Sequence, residues 1–479
     1  MNYLSIQFGL FLAVAVAAFH VCPRRYRHIV LLAASYAFYF ISSHLVILGI
    51  FGATVFAFIV GQALDRDPSP GSSERNPALP WMAFGVAALV CYLAFFKVIG
   101  ALKPWFAHNA ITPQWLATFV NANPLLPLGI SYYTFRLISY LVDVYWKKLP
   151  AERNFVDFAA YVSFFPHILA GPIQRSEDFL SQIRAPDATP SMMTAGLRRM
   201  LLGCFKKLVI ADNLGLIIGL AYSSGEPATH ASSLLAFYLF PLQLYADFSA
   251  LTDIAVGASL LFGIRSPENF DHPFSAASIS GFWRRWHMSL TTWLTDYVFL
   301  PLRMATRWAG NWGLAFSLIV NMLLIGLWHN LSWTFAVFGL MHGVFLTADA
   351  LTARPRAKFF KSHAQWDEAA TWIGPLFTFH LVALSMVFVR AESLPQAIGV
   401  LSRILIIPAH FWAALENRQT IYALCGFALW RILEFGQRRN WWMPLAAAPT
   451  WTRWALYYAV IALVVKFGHN AEGFIYFKF

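Results

Sequence analysis

The sequence predicts an all-α integral membrane protein that crosses the bilayer many times. Residues of the AVILMFWYC set make up 58% of the 479 positions and charged residues only 12%, whereas a soluble domain is about one quarter charged. Apolar runs of about 20 residues, the length of a helix that spans a bilayer, recur from one end of the chain to the other. The runs do not alternate as the strands of a β-barrel would. These observations exclude an ordinary soluble enzyme, a disordered chain and a secreted disulfide scaffold.

The apolar segments set the expected number of membrane spans. They lie near residues 4–22, 28–42, 44–63, 80–99, 112–146, 155–170, 196–222, 231–263, 311–329, 332–350, 371–389, 396–415, 420–435 and 451–467. Several of them are too short to cross about 30 Å of hydrocarbon at about 1.5 Å per residue. We therefore expect about 11 to 12 transmembrane helices together with one or two re-entrant or interfacial helices.

The distribution of motifs divides the chain into three expected segments. Residues 1–110 are expected to form N-terminal transmembrane helices, and residues 351–479 to form C-terminal ones. Residues 111–350 are expected to form a core that carries both histidine motifs described below. No stretch has the composition of a soluble domain, so any chemistry is expected in or at the membrane.

The positive charge of the chain predicts its orientation in the membrane. The formal net charge is +12, and the Arg and Lys residues cluster between apolar segments, as loops on the cytoplasmic side do. Loops at residues 23–28, 354–361 and 436–439 are therefore expected in the cytoplasm. The cations at 24–27 follow the first apolar run instead of preceding it, which favours an uncleaved helix with its N-terminus outside. Nucleic acid is not expected as a partner.

Residues 280–302 form the region richest in polar side chains. On a helix of 100° per residue, Trp283, Trp286 and His287 share a stripe with Leu290 and Leu294, and Arg284 and Arg285 flank that stripe. One interpretation is an interfacial helix with tryptophan anchors and snorkelling arginines. The other is a re-entrant helix that presents His287 to a buried cavity and the arginines to phosphate.

A second polar cluster interrupts the apolar residues 321–343. Asn321 and His329 lie about two turns apart along the same predicted helix, and Trp328 precedes the histidine. His329 could be a satisfied structural histidine, or the general base of an acyl transfer to a hydroxyl, since an imidazole titrates near neutral pH. His342, beside Gly343, is expected to serve close helix packing.

Other ionisable residues are expected to be structural. Asp247 and Asp253 stand in an apolar helix, where each is expected to form a buried pair with an arginine elsewhere. No metal site is expected, because the histidines lack HExxH spacing and the four cysteines are far apart. Walker, Rossmann and GxSxG patterns are missing as well, so no nucleotide-driven pump and no conventional serine hydrolase is predicted.

Several motifs in order make the chain resemble the membrane-bound O-acyltransferase (MBOAT) family, and within it the branch of bacterial alginate O-acetyltransferases. The matching stretches are Pro127 to Phe135, Phe164 to Ile173, Tyr245 to Gly257, Phe262 to Ile264, Asn269-Phe270, Pro273-Phe274, Gly281 to Leu290, Gly326 to His329 and Phe474 to Phe479. The resemblance implies that His329 is the catalytic histidine of the family and that His287 is the second functional histidine of this branch. It also extends to the D-alanyl transfer protein of teichoic acid modification.

The resemblance implies a multi-pass protein of the bacterial inner membrane that acetylates an exported polysaccharide such as alginate or cellulose. The donor would be acetyl-CoA, which approaches from the cytoplasm as a substrate and not as a permanently bound cofactor. Arg284 and Arg285 would meet its phosphates, with Trp286 and Trp328 nearby. His329 would deprotonate the attacking hydroxyl or carry the acetyl group. His287 would position the thioester carbonyl, and Asn321 would stabilise the oxyanion.

The implied acceptor is a separate periplasmic acetyltransferase that passes the acetyl group to the polysaccharide. Two other functions stay open at this point. The first is carrier-protein-dependent D-alanyl transfer or transfer of an acyl group to a lipid. The second is a non-enzymatic transporter or flippase, which would need a wide polar path and could tolerate the loss of one histidine.

Overall fold

The fold is described from a computed structural model of the chain. It describes residues 3–43, 47–65, 78–108, 128–222 except 185 and 187, 229–405 and 448–469, with a few isolated positions between 421 and 432. The predicted span 420–435 falls almost entirely, and the loop 436–439 and the motif Phe474 to Phe479 fall entirely, outside these residues.

Helices form almost all of the secondary structure, and the described ranges contain no β-strand. The α-helices are α1 Ile6–Val21, α2 Arg27–Ser43, α3 Ile47–Asp65, α4 Ala78–His108, α5 Ile130–Tyr145, α6 Phe155–Ser163, α7 Ser176–Arg184, α8 Pro190–Phe205, α9 Asp212–Tyr222, α10 His230–Leu261, α11 Ile279–Trp283, α12 Met288–Leu294, α13 Leu300–Ala305, α14 Gly310–His329, α15 Trp333–Ser362, α16 Ala364–Arg390, α17 Leu394–Ile404 and α18 Thr450–Phe467. Two π-helical turns, Lys206–Ala211 and Thr295–Phe299, join α8 to α9 and α12 to α13.

Within the described part of the chain, six helices are long and apolar enough to cross a membrane. They are Ile47–Asp65, Ala78–Ile99, His230–Leu261, Arg307–His329, Trp333–Ser362 and Ala370–Arg390. A shorter apolar helix, Ile6–Val21, precedes them. The predicted class, an all-α protein that crosses the membrane several times, is confirmed. The total of about 11 to 12 spans stays a prediction.

The chain forms two compact units. The first comprises Met1–Met200 and Ala255–Pro267, and the second comprises Leu201–Ile254 and Glu268–Phe479. All of the site residues predicted from the sequence belong to the second unit. The predicted division at residues 110 and 350 stays a prediction.

The first unit is held together around a fully buried guanidinium. Arg136 on α5 donates to the carbonyl oxygen of Tyr161 over 2.8 Å and to Nδ1 of His167 over 2.7 Å. On its other side, His167 Nε2 is 2.7 Å from the Ser266 hydroxyl and 3.1 Å from that of Ser259. Because a buried cation is costly unless its donors are bonded, these contacts fix helices α5 and α6 against the 259–266 segment.

The second unit contains a pair of helices, α14 and α15, in close contact. Both are rich in glycine where they meet. A Cβ on Gly339 would lie 2.6 Å from the carbonyl oxygen of Met322, and one on Gly343 would lie 2.7 Å from the Cα of Ile319. Small residues let two backbones approach closely in a membrane. This contact places His329, the last residue of α14, against the start of α15.

The basic stretch 354–361 is helical and is not a loop as predicted. It forms the C-terminal end of α15, which continues through Pro355 to Ser362. Arginine, lysine and alanine are strong helix formers, so the polar composition marks a helix end exposed to water and not a break in the helix.

Candidate active site

The segment that carries His287 is broken, so the predicted continuous helical stripe is wrong. Helix α11 ends at Trp283, and His287 adopts the left-handed conformation (φ 45°, ψ 53°) before α12 begins. Tertiary hydrogen bonds take the place of helical ones, since Met288 N donates to the carbonyl oxygen of Asn269 over 2.8 Å and Asp271 N donates to that of Arg285 over 3.0 Å. A non-glycine residue at positive φ costs about 1–3 kcal/mol and is typical of functional sites.

His287 is buried, and Asn269 orients its ring. The ring Nδ1 lies 3.3 Å from Asn269 Oδ1, which also accepts a 2.6 Å hydrogen bond from Ser289 Oγ. The edge of Phe248 packs on the imidazole at 4.8 Å between ring centroids. Because an amide oxygen only accepts, Nδ1 carries the proton and Nε2 carries the lone pair. Burial lowers the pKa of His287 to about 3, so the ring is neutral and its Nε2 can accept a hydrogen bond.

His329 occupies the C-terminal end of α14 and is half-buried. The Trp328 ring lies 4.5 Å from the imidazole and the Phe335 ring 6.2 Å away, between centroids. The next residue, Asn330, is extended and caps the helix by donating its N–H to the carbonyl oxygen of Gly326 over 3.2 Å. The histidine is therefore on a rigid helix end and partly accessible, as a group that meets a substrate must be.

Asn321 has a buried amide oxygen that lacks a hydrogen-bond partner among the described residues. Its side chain is 9% exposed and lies about two turns before His329 on α14. A buried polar atom without a partner costs about 1–3 kcal/mol. Such a group at a helix position near a candidate base fits a site whose polar partner arrives with the substrate.

The two arginines predicted to bind phosphate have different surroundings. Arg284 is exposed and has no ion-pair partner within the part of the chain that the structure describes. Arg285 is half-buried, and its Nη1 donates to Ser275 Oγ over 2.8 Å. Ser275 in turn donates to the carbonyl oxygen of His272 over 2.7 Å. The guanidinium of Arg284 is therefore available to an anion, whereas that of Arg285 is already used within the protein.

The tryptophans also differ. Trp286 is buried in an aromatic cluster, where it stacks on Phe282 at 5.4 Å and lies 5.2 Å from the Phe270 ring and 6.1 Å from that of Tyr245. Trp328 is half-buried beside His329. Packing explains Trp286 fully. A role of either tryptophan in donor binding stays a prediction.

The structure thus brings the predicted site residues together in two groups. The first group, Arg284 to His287, lies in the break between α11 and α12. The second, which consists of Asn321, Trp328 and His329, lies on α14.

Helix α15 holds the first group in place through two residues that the sequence analysis did not assign to the site. His342 Nδ1 accepts a 3.1 Å hydrogen bond from the indole N–H of Trp283, at the end of α11. Asp349 Oδ2 accepts a 2.9 Å bond from Ser280 N, at the start of α11. The two side chains are about two turns apart, so they share one face of α15. The signal in the sequence that could have found them is their spacing, since two polar residues seven positions apart in an apolar helix lie on the same face.

The proton on His342 can be placed from its neighbours. An indole N–H only donates, so Nδ1 of His342 is the acceptor and its Nε2 donates to Ser385 Oγ over 2.8 Å. The Ser385 hydroxyl then donates to the carbonyl oxygen of Val382 over 2.7 Å. His342 is thus a neutral link between α11, α15 and α16. It does more than the close packing predicted for it.

The buried aspartates pair with lysines, so the predicted arginine partners are wrong. Lys207 Nζ lies 2.6 Å from Asp212 and 2.9 Å from Asp247, and Lys206 bonds Asp253 and, at 3.0 Å, the Ser249 hydroxyl. Both lysines begin the π-helical turn Lys206–Ala211, which alters the direction of side chains in a way that helical periodicity does not predict. No group of three or more metal-binding side chains occurs among the described residues.

Comparison with known proteins shows the family of the chain. Residues 147–389 match the model of the membrane-bound O-acyltransferase family. A protein of Azotobacter vinelandii named "Probable alginate O-acetylase AlgI" is 37% identical over 81% of this chain and 74% of its own length. The peptidoglycan O-acetyltransferase of Helicobacter pylori is 30% identical over 73% of this chain and 68% of its own. The teichoic acid D-alanyltransferase of Bacillus subtilis is 31% identical over 53% and 66%.

The residues matched by the family model include both histidine groups. The relatives favour the enzyme over the transporter or flippase left open above, because each of the three is named for the transfer of an acyl group. The chain belongs to the membrane-bound O-acyltransferase family, and it is a multi-pass membrane O-acyltransferase.

Proposed function

We propose that this protein transfers an acetyl group from acetyl-CoA, at the cytoplasmic face of a bacterial inner membrane, towards an exported polysaccharide. The observation that carries the proposal is the placement of two histidines, one buried and one half-buried, on fixed elements of a membrane protein. Its relatives are named for the acetylation of alginate and of peptidoglycan. A polysaccharide outside the membrane cannot reach a cytoplasmic donor, so a periplasmic acetyltransferase would receive the group and pass it on.

In the proposed step, a hydroxyl oxygen of the acceptor attacks the thioester carbonyl carbon while His329 takes the hydroxyl proton. The carbon–sulfur bond then breaks, and the proton passes to the departing thiolate to give free CoA. In a second version, the imidazole of His329 itself attacks and carries the acetyl group before the acceptor hydroxyl takes it. Both versions need His329 neutral and accessible, as its half-buried position allows.

His287 and Asn321 would serve the charge that develops during this step. The tautomer fixed by Asn269 leaves a lone pair on His287 Nε2, which suits a group that accepts a hydrogen bond better than one that polarises a carbonyl by donating. Donation to the oxyanion then falls to the amide N–H groups of Asn321. The exposed guanidinium of Arg284 would meet a phosphate of the donor.

Reconstitution with labelled acetyl-CoA tests the proposal. The purified protein in proteoliposomes, supplied with donor and with acceptor hydroxyl compounds, should release free CoA in an acceptor-dependent manner. His329→Ala should abolish this release while leaving the thermal unfolding profile close to that of the wild type. His363→Ala, at the far end of α15, is the matched control and should retain activity. Turnover of His329→Ala within about tenfold of wild type, or about 1.4 kcal/mol of barrier, would contradict the role of a general base.

A second donor class has specific support, namely the 31% identity to a teichoic acid D-alanyltransferase. In that alternative the thioester would be carried on a small carrier protein instead of CoA, and a lipid or teichoic acid would be the acceptor. The same reconstitution distinguishes the two. Activity only with an acylated carrier protein, and none with acetyl-CoA, would favour the alternative.

A further inference from the structure

Arg303, on α13, carries a charge that plays no part in the chemistry proposed above. Its Nη1 is buried and has no hydrogen-bond acceptor among the described residues, and its guanidinium forms no ion pair with any of them. Burying part of a cation is costly unless its donors are bonded, so an orphaned guanidinium nitrogen in a native structure needs an explanation. Such a group fits a site whose anion arrives with a ligand.

The contact between α13 and α14 fixes the position of Arg303. Thr306, the C-cap of α13, has its Oγ1 3.0 Å from Ser317 Oγ and 3.2 Å from the carbonyl oxygen of Gly313, both on α14. Arg303 precedes Thr306 by three residues, so the two side chains lie one above the other on the same face. Both are half-buried, whereas Met304 between them is exposed. Arg303 therefore lies on the face of α13 that meets α14.

This end of α14 faces the cytoplasm in the predicted topology. Helices α14 and α15 run antiparallel, because Gly326 meets Phe335 at the start of α15, whereas Ile319 meets Gly343 one turn or more farther along it. The C-terminal end of α15 carries the cations that predict a cytoplasmic location. The start of α14 lies on the same side, and His329 lies at the other end of the helix. Arg303 is therefore on the side from which the donor would approach.

Buried polar side chains on α14 continue from Arg303 towards His329. Ser317 and Asn321 are buried and four residues apart, so they share one face of the helix. The Oδ1 atom of Asn321 lacks a partner among the described residues. Along the helix axis, Ser317 is about 18 Å and Asn321 about 12 Å from His329, at about 1.5 Å per residue. The protein thus offers a cation, an amide acceptor and the candidate base in that order.

The arm of a pantetheine thioester carries complementary groups in the same order. A phosphate begins the arm, two amide groups follow, and the thioester ends it. About 13 bonds separate the phosphorus from the sulfur, which is the length of an extended peptide of about four to five residues, or roughly 15 Å. This length agrees with the axial distance of about 18 Å between Ser317 and His329, because the side chains at both ends shorten the gap to be bridged.

We propose that Arg303 binds the phosphate that begins the pantetheine arm of the donor, and that Asn321 Oδ1 accepts a hydrogen bond from an amide N–H of the arm. This inference rests on the proposed function in so far as the donor is a thioester of pantetheine. It uses the oxygen of Asn321, whose N–H groups stay available to the oxyanion. CoA and a carrier protein both hold the arm through this phosphate, so Arg303 would serve either class of donor.

Binding to the purified full-length protein in detergent, measured by isothermal titration calorimetry, tests this contact without turnover. The probes are 4′-phosphopantetheine and pantetheine, which differ in the phosphate alone. Wild type should bind 4′-phosphopantetheine at least about tenfold more tightly, the equivalent of ~1.4 kcal/mol, and Arg303→Gln should bind the two equally. Arg307→Gln is the matched control, because Arg307 is exposed one turn farther along the chain. It removes the same charge and should keep the preference of the wild type.

Two further measurements separate this contact from a structural role. Because Nη1 of Arg303 has no acceptor within the described ranges, Arg303→Gln should leave the unfolding temperature unchanged or raise it. Asn321→Leu should weaken the binding of both probes by a similar factor, since it acts on the arm and not on the phosphate. A lower unfolding temperature of Arg303→Gln, with both probes weakened equally, would mark Arg303 as structural and overturn the proposal.

The proposal is also wrong if wild type binds the two probes equally or binds neither, or if the preference survives in Arg303→Gln. Native mass spectrometry provides the test for a lipid phosphate. Loss of one bound phosphatidylglycerol from Arg303→Gln, with unchanged affinity for 4′-phosphopantetheine, would assign the guanidinium to a lipid headgroup instead. A wild type that prefers the phosphorylated probe but transfers no acetyl group from acetyl-CoA would contradict the proposed function and support this inference.

Discussion

At the scale of single residues, the orientation of His287 depends on one amide. Asn269 Oδ1 receives Nδ1–H of His287 and the hydroxyl of Ser289, while its Nδ2 donates to Thr252 Oγ1 over 3.4 Å. The ring would lose its fixed tautomer without this amide, although it would remain buried. Asn269 is therefore a positioning residue, which acts on the reaction only through His287.

We predict that Asn269→Ala lowers kcat at least about tenfold, which corresponds to a rise of ~1.4 kcal/mol in the activation free energy. KM for acetyl-CoA should change little. Thr252→Ala removes the long hydrogen bond on the far side of the amide and should change kcat far less. Steady-state kinetics on the reconstituted protein provide the measurement. A rise in KM at constant kcat would show that Asn269 acts on donor binding and not on the imidazole.

The two neighbouring arginines should respond differently to neutralisation. Arg284 is exposed, so Arg284→Gln should remove one charge-assisted contact with the donor and weaken its binding free energy by about 1.5–3 kcal/mol. KM for acetyl-CoA should rise accordingly, with kcat nearly unchanged. Arg285 bonds Ser275, so Arg285→Gln should lower the unfolding temperature more than it changes KM. A CoA donor that lacks the 3′-phosphate is the control. If Arg284→Gln and wild type depend on acetyl-CoA in the same way, the phosphate contact is wrong.

Residue identity could be predicted from the sequence better than residue partners. His287, His329 and Asn321 stand out because polar groups in apolar segments are rare. The lysine partners of Asp247 and Asp253 could not be predicted in this way. Lys206 and Lys207 are distant from these aspartates in sequence and begin a π-helical turn. The direction of a side chain after such a turn depends on tertiary packing, which periodicity does not contain.

At the scale of elements, long apolar helices were the most predictable part. The predicted segments 311–329 and 371–389 agree with helices α14 and α16. The break at His287 was not predictable, because Phe282 to Leu294 has no glycine or proline to mark it. The break exists because Asn269 and Asp271 bond to the backbone of 285–288, a contact between segments well apart in sequence.

The short helix α11 depends on α15 for its position, and this dependence can be measured. Trp283→Phe keeps an aromatic ring in the cluster but leaves His342 Nδ1 buried without its donor. We predict a loss of about 1–3 kcal/mol in stability and a lower kcat. His342→Phe should have a similar effect alone, and the double variant should lose less than the sum of the two.

Thermal unfolding in detergent and steady-state kinetics, applied to the full double-mutant cycle, test the contact between Trp283 and His342. A coupling of about 1 kcal/mol between the two positions is expected for a buried hydrogen bond. Strictly additive effects would show that the two side chains contribute only by packing. The matched control is Phe345→Leu, whose ring also approaches His342, at 5.8 Å between centroids, without a hydrogen bond.

At the scale of the whole molecule, the distribution of Arg and Lys predicts which ends of the helices face the cytoplasm. The cations at 24–27 lie between α1 and α2, and those at 354–361 form the exposed end of α15. Cationic loops are retained on the cytoplasmic side during insertion. We therefore predict that residues 23–28 and the turn at Ser362 are cytoplasmic and that the N-terminus is periplasmic.

Cysteine accessibility checks this topology, provided that the native thiols are first removed. Cys91 and Cys425 are exposed and Cys22 and Cys204 are half-buried, so all four should be replaced by serine or alanine. An impermeant maleimide should then label Ser5→Cys from outside intact spheroplasts. Ser362→Cys and Arg25→Cys should react only after the membrane is opened. Labelling of Ser362→Cys from outside would show that the orientation of α15 and α16 is the reverse of the one that the distribution of Arg and Lys predicts.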